Sequence, residues 1–283
     1  MSKTRIAVVT DSSAYMPASS LEGLNVSVIP LWLNWDGEQF LDGVDIDPPT
    51  FYSRLKKSKT LPTSSQPSVK EFEDFFRKVA EKSDAIVSVL ASSKISGTVA
   101  SAMAAQKNLS EKTIRVVDSL AASMGMGFIV LAAARAASDG KTVEQVVEAA
   151  EKMRQKVHFL FVVDTLEYLH RGGRIGGAKR LFGTALQIKP LLEFADGLIQ
   201  PLSQARTKRK ALELMYKIAK QRLAGKQMAE AAIVDIDSIE EGDAVADKIK
   251  EQFNPPILHR SGVSPVVGTH VGPGAIGLAF YAE

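Results

Sequence analysis

The chain has 283 residues, of which 45% are hydrophobic and 24% are charged, and it carries a net charge of +3 and no cysteine. The absence of cysteine excludes disulfides, thiolate zinc sites and a cysteine nucleophile. Lysine and arginine are interleaved with glutamate on the predicted helices, so there is no continuous basic stripe and we expect no nucleic-acid binding.

The first apolar run, residues 6–9, is too short for a signal peptide, and no later run is long enough to span a bilayer. We therefore expect a cytoplasmic protein with no stable membrane insertion. The length and the apolar content predict two domains with sizeable cores.

In the first half of the chain, short β-branched runs alternate with amphipathic segments. Buried strands are predicted at 5–10, 84–90 and 113–118. Ser68 and Glu71 form a capping box that begins a helix between the first two strands. A second helix, rich in small residues, is predicted at 123–137. This alternation predicts a parallel sheet with helices on both faces and ligands beyond the carboxyl ends of its strands.

The second half of the chain is predicted to form an α+β unit with a mixed sheet. The reason is that Asp196-Gly197 lies between two apolar runs, which is a strong hairpin signal. In chain order, the predicted elements are a strand at 159–163, a short helix through Leu169, a glycine turn at 172–173, a helix toward Leu186, the hairpin at 190–202, a helix at 208–224, a strand at 231–236, a helix at 240–253 and a terminal strand. We predict an N-terminal three-layer α/β domain at 1–158 and a C-terminal α+β domain at 159–283.

Three candidate catalytic motifs are incomplete. Residues 172–179 approach a phosphate-binding loop, but Ala178 occupies the lysine position. The spacing Glu167-x-x-His170 is half of a di-iron motif without its second copy, and a surface pair explains it better. No Gly-x-Ser-x-Gly elbow offers an activated serine.

Metal binding finds little support in the sequence. Asp235-x-Asp237 is typical of a turn at a strand end, and the four histidines show no ligand spacing. We predict no metal and no cofactor.

The glycine-rich end is the strongest indication of a ligand site. Four glycines between 268 and 277 surround His270, and glycine allows close approach of the main chain to a ligand. The alternative is a glycine-rich bend with a surface histidine.

Hydroxyl-rich motifs run in order along the whole chain and carry a resemblance. They are Thr10-Asp-Ser-Ser13, Pro62-Thr-Ser-Ser-Gln-Pro-Ser68, Ser92-Ser-Lys-Ile-Ser-Gly-Thr98, Val117-Asp-Ser119, Tyr168-Leu-His-Arg-Gly-Gly-Arg-Ile175, Lys189-Pro190 and Gly268-Thr-His-Val-Gly-Pro-Gly274. Together they resemble the DegV family of bacterial fatty-acid-binding proteins.

The resemblance implies two α/β domains with a long-chain fatty acid, of the palmitate or oleate class, in the interdomain cleft. It also implies a carrier without catalytic activity of its own. In this role the protein presents the acyl carboxylate to the catalytic subunit of a fatty acid kinase, and the acyl phosphate feeds phospholipid synthesis.

The resemblance also assigns site residues. Ser64 stands where the family usually has threonine, and Ser96 is the serine before Gly-Thr. The carboxylate-binding residues would be Ser64, Ser96, Thr63, Thr98 and His270, a secondary polar shell would be Arg171, Arg174 and Thr269, and Arg206 would face the kinase.

Other interpretations remain open. Ser96 could cap the following helix, and Arg171 or Arg174 could serve the helix end near Glu167. A stand-alone phosphotransferase or hydrolase would use Asp11 and Asp118 at the strand ends. A regulator or scaffold would bind a partner through the basic segment 208–210 and need no ligand.

Overall fold

The structure is a computed structural model that describes residues 4–182 and 188–283. Its strands are β1 (Ile6–Asp11), β2 (Val26–Ile29), β3 (Trp32–Trp35), β4 (Glu38–Leu41), β5 (Thr63–Ser65), β6 (Ala85–Leu90), β7 (Thr113–Asp118), β8 (His158–Val162), β9 (Lys189–Ala195), β10 (Leu198–Ala205), β11 (Met228–Asp235), β12 (Ile257–Ser261) and β13 (Ile276–Ala282). Its helices are α1 (Pro48–Lys57), α2 (Val69–Ala80), α3 (Thr98–Asn108), α4 (Ser123–Ser138), α5 (Val143–Lys156), α6 (Glu167–Arg171), α7 (Lys208–Leu223), α8 (Ile239–Phe253) and α9 (Pro265–Val271).

The N-terminal sheet is fully parallel in the order β2-β1-β6-β7. Successive strand residues point to opposite faces, so Val8 packs toward α4 and α5 while Val9 packs toward α2 and α3. The predicted three-layer arrangement is confirmed. The predicted capping box at Ser68 and Glu71 is also present at the start of α2.

The C-terminal sheet has the order β10-β9-β8-β13-β11-β12 and is mixed, because β11 and β12 are parallel and the other neighbours are antiparallel. The hairpin turn between β9 and β10 is at Asp196-Gly197, where both residues have positive φ. Helices α7 and α8 pack on one face of this sheet. The opposite face, which includes Phe159 and Phe161, turns toward the N-terminal elements.

A third sheet, β4-β3-β5, was not predicted from the sequence. Its strands are only three or four residues long, and the core beneath it includes Trp35 and Phe51. This small sheet matters for function because β5 carries Ser64.

The structure bears on two of the predicted boundaries. The helix predicted toward Leu186 is a 3-10 helix at Gly176–Leu181, and residues 183–187 lie outside the described residues. The division of the chain after residue 158 stays a prediction; β8 begins at His158 itself.

Residues 4–182 and 188–283 contain neither a candidate membrane-spanning helix nor a candidate metal-binding cluster. None of the helices there has the length and apolar character needed to cross a bilayer. Nor do those residues gather three or more His, Asp or Glu side chains in an arrangement that could hold a metal ion.

Candidate functional site

A cavity lies between the free face of the C-terminal sheet and the N-terminal elements. It encloses about 930 Å³ not occupied by protein atoms, including the solvent at its mouth. Apolar side chains dominate its wall, and those from the C-terminal sheet and the segment just after β11 are Phe159, Phe161, Phe194, Ile199, Val234 and Ile236. Such a wall favours an aliphatic ligand.

Polar residues from distant segments meet in this cavity. Ser64 is positioned by β5, whose pairing with β3 places it opposite Leu33. Its Oγ lies 2.7 Å from His270 Nε2, although the two residues are 206 positions apart. Ser96 and Arg174 also line the cavity.

His270 lies on α9, a seven-residue helix that begins with Ser264 as N-cap and Pro265 in its first turn. The structure therefore has a helix where the alternative interpretation of the sequence expected a glycine-rich bend. Its Nδ1 atom is buried against Gly172 and has no hydrogen-bond partner among the described residues. Burial, followed by the positive charge of Arg174, lowers the pKa of His270 to about 4. The imidazole is therefore neutral at physiological pH.

Arg174 ties two of the site's segments together. Its Nε donates to the carbonyl of Ile95 at 3.1 Å, and its Nη1 donates to the carbonyl of Gly172 at 2.7 Å. The first bond holds the loop that carries Ser96, and the second holds the turn that packs on His270. This loop and turn come from opposite halves of the chain.

Ser96 combines the two interpretations that the sequence left open. It lines the cavity, and its Oγ accepts from the Thr98 amide at the start of α3. Its Oγ also shares a hydrogen bond with Thr98 Oγ1 at 2.7 Å. Ser96 therefore serves the helix start and the cavity wall at once.

Two threonines predicted to contact the carboxylate do not line the cavity. Thr98 is fully buried beneath Ser96. Thr63 is exposed and is not among the residues that line the cavity. The structure gives neither residue a place at the cavity wall.

The residues predicted for the secondary polar shell lie in different environments, and so does Arg206, which was predicted to face the kinase. Arg174 is at the site, whereas the side chain of Arg171 is 61% exposed and pairs with Glu167 at 2.6 Å. Thr269 is buried and donates to the carbonyl of Pro265 within its own helix. Arg206 is exposed between β10 and α7.

Asp11 and Asp118 hold turns in place and are not among the described residues that line the cavity. Asp11 is fully buried, and its carboxylate accepts from the amide and hydroxyl of Ser13 and from the amide of Ala91. Burial raises the pKa of Asp11. Asp118 accepts from the amides of Ser93 and Leu120.

The glycines of the segment 268–277 mainly allow α9 to pack closely against its neighbours. A Cβ at Gly268 would collide with the Tyr52 hydroxyl, and one at Gly272, where φ is +81°, would collide with the Tyr168 ring. Gly277 does line the cavity, where a Cβ would meet Phe159. The glycines therefore allow close approach mostly to protein side chains, and only Gly277 of these three forms part of the cavity wall.

Sequence reasoning missed two buried residues beside the site. Asp42 follows β4; its Oδ2 accepts from Ser12 Oγ at 2.6 Å, and its Oδ1 accepts from the Val266 amide at 3.3 Å. Burial raises its pKa to about 6. Ser123 lines the cavity at the start of α4. Asp42 gave no local signal, but Ser123 is the first residue of the helix predicted at 123–137.

Comparison with known proteins shows similarity along nearly the whole chain. A family model described as an uncharacterised protein of the DegV family matches residues 5–283. A DegV domain-containing protein of Streptomyces coelicolor is 38% identical over 276 residues, which are 96% of this chain and 97% of that protein.

Solved structures of DegV family proteins are also similar to this chain. A DegV family protein from Thermus thermophilus, described for its fatty acid binding, has a TM-score of 0.92 at 32% identity and covers 99% of this chain and 100% of its own. DegV from Bacillus subtilis, described as a fatty acid binding protein, has a TM-score of 0.89 at 32% identity with the same coverage.

Proposed function

The chain belongs to the DegV family, and we propose that it binds a long-chain fatty acid of the palmitate or oleate class in the cavity described above. The observation that carries the proposal is the neutral Ser64-His270 pair, 2.7 Å apart, in a cavity whose wall is otherwise mostly apolar. A fatty acid has this same division between one polar end and a long apolar tail.

Burial of the tail would supply most of the affinity. Each methylene removed from water contributes about 0.8 kcal/mol, so a sixteen-carbon chain could contribute on the order of 10 kcal/mol before ordering costs. The wall residues Phe159, Phe161 and Phe194 offer the apolar surface for that burial. No catalytic group is needed for this step.

Ser64 and Ser96 would hold the carboxylate through their hydroxyls, and His270 would orient the Ser64 hydroxyl. A carboxylate only accepts hydrogen bonds, so the groups around it must donate. We assign the imidazole proton of His270 to Nε2, which then donates to Ser64 Oγ and leaves the Ser64 hydrogen free for the ligand. This direction is the reverse of a nucleophile and its base, in which serine donates to histidine.

Presentation to a kinase follows from this mode of binding. Neutral hydroxyls can bind a carboxylate without occupying both of its oxygens, whereas a bidentate arginine would occupy both. An oxygen therefore remains able to attack the γ-phosphorus of ATP, which forms the acyl phosphate as the bond to the β–γ bridging oxygen breaks and ADP leaves. We propose that a cytoplasmic fatty acid kinase subunit delivers that phosphate, with Arg206 on the contact surface, and that the acyl phosphate feeds phospholipid synthesis. In this role the chain is a carrier without catalytic activity of its own.

Native mass spectrometry of freshly purified protein, followed by lipid extraction, tests the binding proposal. We expect a bound fatty acid of roughly sixteen to eighteen carbons. Replacing both Ser64 and Ser96 with alanine should weaken palmitate binding roughly 100-fold or more, since hydrogen bonds to charged groups contribute about 1.5–3 kcal/mol each. Thr63→Ala is the matched control on β5 and should leave binding unchanged. A protein that purifies empty and takes up neither palmitate nor oleate would overturn the proposal.

The kinase step needs a separate measurement. We expect acyl phosphate to form when the loaded protein is mixed with a fatty acid kinase subunit and ATP. Arg206→Ala should slow this transfer several-fold without lowering the bound fatty acid, because the residue is exposed and away from the cavity wall. Arg77→Ala, which alters an exposed arginine on α2, is the control. Equal rates for wild type and Arg206→Ala would remove Arg206 from the contact surface.

A further inference from the structure

Ser123 differs from the other serines of the cavity. It is 3% exposed, lines the cavity, and its hydroxyl has no hydrogen-bond partner among the residues that the structure describes. The other four cavity serines all have partners: Ser64 meets His270, Ser96 meets Thr98, Ser13 donates to Asp11, and Ser65 accepts from Asn34. An unpaired buried hydroxyl is costly, and of the three such hydroxyls among the described residues, those of Thr10, Ser88 and Ser123, only that of Ser123 lines the cavity, where a ligand group could pair with it.

The backbone at Ser123 supports this interpretation. Its φ is +51°, in the left-handed region that non-glycine residues rarely adopt, and such strain concentrates at ligand sites. Ser123 is also the first residue of α4, a sixteen-residue helix whose N-cap, Ala122, supplies no side-chain hydrogen bond. Helix N-termini present amide donors and a partial positive charge, so they favour an oxygen atom.

The surroundings of Ser123 are apolar. Ala122 and Met124 flank it in the chain and are buried, and Gly125 packs against the Phe159 ring. A plain methylene chain lying here would leave the hydroxyl unsatisfied. A second carboxylate is disfavoured, because the single cation among the described lining residues, Arg174, is committed to the carbonyls of Ile95 and Gly172.

We propose that the cavity accepts an acyl chain bearing a neutral oxygen substituent along its length, a hydroxyl or a keto group, and that Ser123 recognises this oxygen. This inference rests on the proposed fatty-acid function and adds the substrate class to it. The Ser123 hydroxyl donates to the ligand oxygen, and a ligand hydroxyl can donate back to Ser123 Oγ.

A series of monohydroxypalmitates, which differ in the position of the hydroxyl along the acyl chain, tests the proposal. Affinities of the lipid-stripped protein for each acid are measured by calorimetry relative to palmitate. We expect a maximum at one hydroxyl position, set by the distance of Ser123 from the carboxylate site. In Ser123→Ala the relative affinity at that position should fall about 10-fold, the size of one net hydrogen bond. Palmitate itself should bind that variant as well or better.

Ser13→Ala is the matched control, because it removes a cavity serine that already has a partner, and the maximum should persist. Should Ser123→Ala misfold, Ser123→Gly relieves the left-handed strain and removes the same hydroxyl. Equal affinities for all hydroxyl positions, the result expected if water alone satisfies the Ser123 hydroxyl, would overturn the inference. An affinity maximum that persists in Ser123→Ala would overturn it as well. Failure of wild type to bind palmitate counts against the proposed function instead.

Discussion

At the scale of single residues, the central feature is a histidine kept neutral. His270 is buried beside Arg174, and both effects disfavour its charged form, so its pKa is lowered to about 4. A charged imidazole would form an ion pair with a bound carboxylate and reduce its nucleophilicity. A neutral one can orient Ser64 and leave the carboxylate reactive.

Arg174→Gln should raise the pKa of His270 above its value of about 4, because a nearby positive charge is removed. The rise should stop short of the ordinary 6.5, since burial, the larger cause, remains. Titration of the imidazole carbon-bound protons by NMR measures this shift. The internal control is His158, whose pKa is also lowered to about 4, by burial and Arg222. An unchanged His270 titration would show that the Arg174 charge does not act on the site.

At the scale of elements, α9 is held from several sides. Tyr52 donates to the carbonyl of Val263 at 3.0 Å and packs on Gly268, while Asp42 accepts from the Val266 amide near the helix start. These contacts come from α1 and from the loop after β4. The small N-terminal sheet and its neighbours therefore set the position of His270 as well as that of Ser64.

Gly268→Ala should destabilise the protein by about 1–3 kcal/mol and weaken fatty-acid binding. Its Cβ would overlap the Tyr52 ring and hydroxyl, so α9 and Tyr52 must move apart, which would disturb the pairing of His270 with Ser64. Urea unfolding and palmitate calorimetry measure the two effects. Gly262→Ala is the control, because the atom nearest to its Cβ would be 3.7 Å away. Equal stability of the two variants would contradict this account of the glycine.

Sequence patterns predicted the long, regular elements well. Strands β1, β6 and β7 are mostly apolar or β-branched runs, and α2 carries its capping box, so local physics is sufficient there. The short strands β3 to β5 were missed, because three or four residues carry too little periodicity to distinguish a strand from a loop. Helix α9 was missed because its glycines mimic a bend.

At the scale of the whole molecule, the cavity is a product of long-range contacts. Ser92 Oγ donates to the carbonyl of Gly197 at 2.8 Å, which joins the edge of the N-terminal sheet to the tip of the β9-β10 hairpin. Ser261 Oγ donates to the carbonyl of Tyr15 at 2.7 Å on another side. The resemblance named Ser64 and His270 separately, but their pairing depends on this assembly and no local pattern encodes it.

The buried titratable groups predict opposing responses of stability to acid. His158 and His270 have folded pKa values of about 4, below the ordinary 6.5, so their stabilising contribution is complete above pH 6.5 and is lost as the pH falls toward 4. Asp42 acts in the opposite direction. Its folded pKa of about 6 exceeds the ordinary 3.8, so the cost of burying its charge is relieved over the same fall in pH.

Asp42→Asn should therefore make the protein more sensitive to acid. The variant loses the proton that folded Asp42 binds between about pH 6 and 4, while both histidines still take up protons on unfolding. Its free energy of unfolding should fall more steeply than that of wild type, by up to about 1.4 kcal/mol per pH unit, the value of one proton. Urea unfolding at pH 4.5, 5.5 and 6.5 measures both slopes, and all other acidic groups are common to the two proteins. Parallel slopes would mean that Asp42 is already ionised throughout this range and that the hydrogen bonds from Ser12 and Val266 outweigh its burial.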